Sequence, residues 1–157
     1  MTHEAGRRVT LTPMARAIGI NHVALEVGDV GEALAWYARF FEFELRGRRP
    51  TMAWIDLGDQ FLALSSGRRQ GPDDGRHFGL VVDDKESVRA ALAEAGVDVP
   101  ASGGLRFQDP WGNSVVIVDY RDVQFTKAPA ILAALAPDGL EKSEAAREEL
   151  ARKGLGG

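Results

Sequence analysis

Two stretches of the chain alternate apolar and polar residues with the two-residue period of a strand that buries one face. In 20–27, Val23, Leu25 and Val27 share one face, and His22, Ala24 and Glu26 share the other. In 77–82, Phe78, Leu80 and Val82 form the matching apolar face. After each stretch the period lengthens to that of a helix. Apolar residues fall at Ala33, Trp36, Tyr37 and Phe40 in the first case, and at Val88, Ala91, Leu92 and Ala95 in the second. Both sets follow the i, i+3, i+4, i+7 spacing of one helical face, and Trp36, Tyr37, Phe40 and Phe41 are assigned to the core. An acidic cap three residues before a glutamate opens each helix, Asp29 with Glu32 and Asp83 with Glu86. A shift of 55 positions lays His22 on His77, Leu25 on Leu80, Val27 on Val82 and Asp29 on Asp84. The chain therefore contains one unit written twice.

Further strands are predicted at 42–46, 52–57, 61–65, 105–108 and 114–119, separated by Gly, Pro and Asp punctuation. Each unit reads strand, helix, then strands, over about 18–67 and 75–120. Residues 1–17 form a polar leader. Residues 121–157 form a helical tail, polar and extended at 121–127, with a short alanine-rich helix over 130–136 that Pro137 ends. A last helix follows, capped by Asp138 and Glu141 and stopped by Gly154. The tail is expected to dock onto the body or a partner subunit.

Composition narrows the function. The 157 residues are 45% hydrophobic and 27% charged, an ordinary globular balance. A net charge of -4 lacks the basic field that nucleic-acid binding requires. No cysteine is present, which removes disulfides, thiolate nucleophiles and thiolate metal sites. No apolar run spans a bilayer, and no apolar segment follows Arg7, Arg8 and Arg16 as a secretory signal requires. The expectation is a cytoplasmic protein without nucleic-acid or membrane partners. The short basic runs Arg46, Arg48, Arg49 and Arg68, Arg69 are read as solvated loop residues. No Ser/His/Asp order, phosphate loop or dinucleotide fingerprint occurs.

Three segments carry a family likeness: Ile18-Gly-Ile-Asn-His22-Val-Ala-Leu-Glu-Val27, Glu32-Ala-Leu-Ala-Trp-Tyr37, and Asp109-Pro-Trp-Gly112-Asn113. In this order they resemble the His-bearing first strand, the aromatic first helix and the Asp-Pro-x-Gly-Asn turn of the vicinal oxygen chelate superfamily. Glyoxalase I, bleomycin-resistance proteins and extradiol dioxygenases belong to that superfamily. The resemblance implies an α+β fold of two βαβββ modules whose curved sheets form a cup for one small molecule. It also implies a homodimer. Metal-bearing relatives place one ligand on the first strand of each unit and one carboxylate or amide near the end of each last strand. His22 and His77 match the first pair. The second pair falls near Val116, and at Leu62 or Ala63, none of which can bind a cation.

Two histidines alone leave a catalytic Zn²⁺ or Fe²⁺ short of its usual three or four protein ligands. Glu26 lies about 13 Å along the strand from His22 at the backbone. Asp56 is the better substitute, because Ile55 and Leu57 face the helix and turn Trp54 and Asp56 toward the cup. His22 and His77 are candidates for ligand binding or acid–base chemistry. Arg106 and Gln108 also face the cup, opposite Leu105 and Phe107. The guanidinium there suits an anionic ligand group or, equally, a salt bridge to Asp56 or Glu26. Trp54, Phe61, Val116 and Val118 line the cup, with Trp54 placed to stack on a planar ligand or to fill the floor.

Two functions follow. One is a protein that binds a small organic molecule at an incomplete metal site, with no cofactor. The other is a metal-dependent lyase, isomerase or dioxygenase that uses His22 and His77 with an unorthodox third ligand.

Overall fold

The computed structural model describes residues 14–156. Most of the polar leader, up to residue 13, lies outside the described residues. The first unit contains β1 (His22–Val27), α1 (Val30–Tyr37), β2 (Leu45–Arg49), β3 (Met52–Asp56) and β4 (Phe61–Ser66). Its mixed sheet has the order β1-β4-β3-β2, with β1 parallel to β4 and the other pairs antiparallel. The second unit contains β5 (Phe78–Val82), α2 (Lys85–Glu94), β6 (Leu105–Gln108) and β7 (Ser114–Asp119), in the sheet order β5-β7-β6. The second sheet has three strands, because 97–104 runs without a strand between α2 and β6.

The alternation puts the expected faces inside. Leu25 and Val27 of β1, Ile55 of β3, and Leu105 and Phe107 of β6 are buried, while Ala24, Glu26, Arg106 and Gln108 are exposed. One continuous core spans both units. Helix α1 joins them: Val30, Ala33, Leu34 and Tyr37 are buried, while Trp36 packs on Phe107 of β6 at 5.8 Å between ring centroids. Beyond shifts of one residue at strand and helix ends, the elements depart from the expectation at several points. The second strand begins at Leu45, not at residue 42, because Phe41 and Phe43 pack into the core from the segment leaving α1. Asp84, not Asp83, caps α2, accepting from the backbone N–H groups of Glu86 and Ser87. A 3₁₀ turn occupies Tyr120–Asp122, where extended chain was expected. Ser143 opens the last helix in place of Asp138 or Glu141.

A buried polar chain locks the two units together. Asp109, 4% exposed, accepts from the Tyr37 hydroxyl at 2.8 Å and from Asn113 Nδ2 at 2.8 Å. The same Asn113 amide donates to the Glu26 carbonyl at the end of β1, at 3.0 Å. Arg68 Nη1 donates to Asn113 Oδ1 at 2.5 Å, and Arg68 Nη2 reaches the Gly71 carbonyl and Asp73. The arginine side chain is 3% exposed, so it is not the solvated loop residue its neighbours suggested. Each buried group finds a partner, as a low-dielectric interior demands. The turn that carries Asn113 depends on Gly112, at φ 89°. A Cβ there would lie 2.4 Å from Pro72 Cα, so both backbone and space select glycine.

The tail folds back in two places. Helix α4 (Glu144–Arg152) packs on the 3₁₀ turn and buries Ala146, and Lys142 donates to the Tyr120, Val123 and Phe125 carbonyls. Lys127 binds Asp59 and the Leu57 carbonyl in the β3–β4 turn, and Ile131 of α3 (Pro129–Leu135) packs against Gly58. The tail therefore runs from the end of the second sheet to the first. Among the described residues no helix is long and apolar enough to cross a membrane.

Replacing Tyr37 with phenylalanine removes one hydrogen bond from the buried Asp109 while conserving ring volume. A loss of about 1–3 kcal/mol is expected in urea denaturation. Asp119 supplies a pH test. Arg121, bound to both its oxygens, holds its carboxyl down at about 2 against an ordinary 3.8, and burial opposes this. A lowered native pKa means that the stabilisation is complete above 3.8 and is lost as pH falls through about 2. Denaturation midpoints of the parent and Asp119→Asn should converge over that window.

Candidate functional site

The open face of the first sheet carries His22, Trp54, Asp56 and Phe61. Cross-strand register sets their order. His22 pairs with Phe61, and Phe61 with Asp56, so these side chains form one row across β1, β4 and β3. The next row is Ala24, Ala63 and Trp54. The His22 imidazole stacks on Phe61 at 4.6 Å with an interplanar angle of 5°, and its Nδ1 lies 2.9 Å from Asn21 Oδ1. Arg46 lies 4.9 Å from the Phe61 centroid, and Arg49 lies 5.7 Å from that of Trp54. Two members of the first basic run therefore rest on aromatic rings.

Asp56 is separated from His22 by the whole of β4, about 10 Å at the backbone with Phe61 standing between them. Its Oδ1 accepts from the Gly58 N–H at 2.6 Å, which shapes the β3–β4 turn. Its role as a shared ligand with His22 is not supported by this placement.

The open face of the second sheet carries His77, Arg106, Gln108 and Val116. Gly79, Val116 and Arg106 form one row across β5, β7 and β6, and Ser114 pairs with Gln108 in the row beside it. His77 immediately precedes β5, with Nδ1 2.9 Å from the Gly75 carbonyl. His77, Arg106, Gln108, Ser114 and Val116 border an open cavity of about 600 Å³, which the strandless segment 97–100 also lines. Gln108 is committed to the fold, donating to the Asp73 carbonyl and to Ser114. Arg106 makes no ion pair among the described residues, so the salt bridge to Asp56 or Glu26 does not form. Glu26 instead faces Gln70, at 3.4 Å.

The structure thus brings the site candidates together as two groups, one on each sheet. The register also chooses between Leu62 and Ala63. Ala24 pairs with Ala63 and Gly79 with Val116, so Ala63 and Val116 are the equivalent open-face positions, while Leu62 points into the core. Among the described residues no three of His, Asp and Glu stand close enough to hold a metal ion.

Sequence reading missed the residues that hold these faces in place. The segment carrying His77 is anchored by Arg68 and by Asp73, which Arg68 and Arg76 bind at 3.2 and 2.8 Å. Burial works against the Asp73 charge, yet the hydrogen bonds from Arg76 and Arg68 hold its carboxyl below the ordinary range. The Tyr37 hydroxyl is pushed far up, first by burial and then by Asp109, so it serves as a hydrogen-bond donor. The signal for Tyr37, Asp109 and Asn113 lay in the motifs themselves. Arg68 left no signal.

A family model described as the Glyoxalase/Bleomycin resistance protein/Dioxygenase superfamily matches residues 19–117. Solved structures with the same fold include lactoylglutathione lyase from Agrobacterium tumefaciens, 21% identical with a TM-score of 0.54. It covers 67% of this chain and 96% of its own. A possible glyoxalase from Bacillus cereus is 24% identical, with a TM-score of 0.54 and coverage of 65% and 99%. The fosfomycin resistance protein FosX from Listeria monocytogenes is 14% identical, with a TM-score of 0.54 and coverage of 66% and 94%. No curated protein matches the chain.

Arg68→Ala should leave Asn113 and Asp73 short of a buried partner, at a cost of about 3 kcal/mol or more. Hydrogen exchange should quicken first in residues 69–77, before global unfolding. Unchanged exchange there would show that Arg68 does not hold the segment.

Proposed function

This chain belongs to the Glyoxalase/Bleomycin resistance protein/Dioxygenase superfamily, and we propose that it is a binding member, taking up a small organic molecule on its open sheet faces without a catalytic metal. The observation that carries this reading is the pair Ala63 and Val116. They occupy equivalent open-face positions on the strands beside β1 and β5, where the superfamily resemblance calls for a carboxylate or amide. Methyl and isopropyl groups supply no lone pair to a cation.

The other donors do not fit a metal. Nitrogen and oxygen ligands must reach about 2.0–2.2 Å from a zinc ion. Asp56 is held across β4 from His22 by strand spacing, and Asp73 is engaged by two arginines. No step of chemistry is therefore routed through a metal. The faces suit binding instead. Trp54 and the His22–Phe61 stack offer aromatic surface, while the second sheet offers Val116 beside Arg106 and His77. Ligand pockets combine an apolar lining with a few placed polar groups in this way.

In this reading residues 18–120 carry the site and 121–157 dock against it. The working form is a homodimer, supported by the exposed apolar side chains Ile20, 68% exposed, and Leu45, 40% exposed, at the first sheet.

Metal retention tests the proposal. The protein is loaded in turn with Zn²⁺, Ni²⁺, Co²⁺ and Fe²⁺, desalted, and analysed for metal. Retention far below one ion per chain is expected, unchanged in His22→Ala and His77→Ala. Stoichiometric retention abolished by His22→Ala would overturn the proposal and favour a metal-dependent lyase, isomerase or dioxygenase.

A further inference from the structure

Resting on the binding reading above, we infer that the ligand is an amphipathic anion whose carboxylate or sulfonate group is recognised by Arg106 together with His77, with its apolar body on Val116 and the 97–100 wall. The two sheets differ in their open faces. On the first, Arg46 and Arg49 lie on the rings of Phe61 and Trp54, so their π faces are already in use. On the second, Arg106 lies on no aromatic ring and pairs with no acid among the described residues.

The surroundings of Arg106 leave it free for a ligand. Across the sheet its row continues through Val116 to Gly79, so no side chain rises from the β5 position and the valine surface is open. The acids at the cavity rim are Asp73, Asp74 and Asp98. Asp73 is bound by Arg68 and Arg76, and neither Asp74 nor Asp98 makes an ion pair with Arg106. Arg76, at the same rim, is itself held by Asp73 at 2.8 Å.

Reach favours a shared anion. The backbones of His77 and Arg106 are separated by two strand spacings of about 4.8 Å and one step of about 6.6 Å along the strands. The guanidinium rests beside Gly103, and a rotamer change that swings its long stem over Val116 brings it toward the imidazole across Ser114. A planar guanidinium offers paired N–H donors to a carboxylate or sulfonate, and His77, whose Nδ1–H is taken by the Gly75 carbonyl, adds one from Nε2 in its protonated form. Val97, Val99 and Pro100 add apolar surface to the same cavity, Val97 and Val99 from side chains packed on the core.

The test compares two fluorescent probes of nearly the same shape, anilinonaphthalene sulfonate and the neutral phenylnaphthylamine, each titrated into the full chain. The anionic probe should bind the parent more tightly than the neutral one. Arg106→Ala should weaken the anion at least about tenfold, the scale of one charged hydrogen bond, and leave the neutral probe unchanged. Arg106→Lys should recover part of the loss, and His77→Ala should weaken the anion by less than Arg106→Ala. The side chain of Arg106 is exposed, so thermal midpoints of parent and variants should coincide. Equal binding of both probes, insensitive to Arg106, overturns the anion inference and leaves the binding reading standing. Binding of neither probe overturns both.

Discussion

The fold turns on one constraint: a carboxylate buried between two repeated units must be satisfied by both of them. Asp109 sits in the turn before β7, takes its hydrogen bonds from Tyr37 of α1 and from Asn113, and Asn113 in turn holds the end of β1 and the Arg68 guanidinium. Neither unit can complete that set alone. In a low-dielectric interior an orphaned member costs more than a made bond returns. The relative placement of the sheets, and the path of the 67–77 connection, follow from this shared requirement. Trp36 and Phe107 add apolar contact across the same seam.

Rigid placement of the sheets gives the two open faces different chemistry despite their common origin. The 55-residue repeat keeps a histidine at the start of each unit, yet the positions around it have diverged. Phe61 stacks on His22, whereas the corresponding neighbour of His77 is the small Ser114. Trp54 occupies the first sheet's next row, whereas Arg106 occupies the second's. One face is aromatic and already packed on itself. The other is open, bordered by a cavity, and carries in Arg106 a guanidinium with no ion pair among the described residues. The segment 97–104, which forms no strand, contributes residues 97–100 to the lining of that cavity.

The C-terminal extension lies beyond the matched family region and behaves as a strap. Two of its lysines are spent on backbone carbonyls: Lys142 on the turn after β7, and Lys127 on the β3–β4 turn. Burial pushes the Lys142 ammonium down, and the surrounding carbonyls provide its solvation in place of water. The strap thereby ties the end of the second sheet to the rim of the first.

Much of this was legible beforehand. Alternation assigned Val23, Leu25, Leu105 and Phe107 to the core and His22, Trp54, Arg106 and Gln108 to the open faces, because successive side chains on a strand must point to opposite sides. The repeat, the helices and the superfamily likeness are properties of short segments, and the amino-acid order determined them. What the order could not say is which distant groups meet. Arg68 looked like one of two solvated arginines until Asn113 and Asp73 closed around it. Asp56 looked like a ligand for His22 until the register set a full strand between them. A pairing of equal weight, Arg106 with Asp56 or Glu26, did not form. Facing is a local consequence of backbone geometry, whereas partnership depends on how separate segments pack. Only the tertiary structure decided that the site candidates divide between two sheets, with Arg106 left without an acidic partner among the described residues.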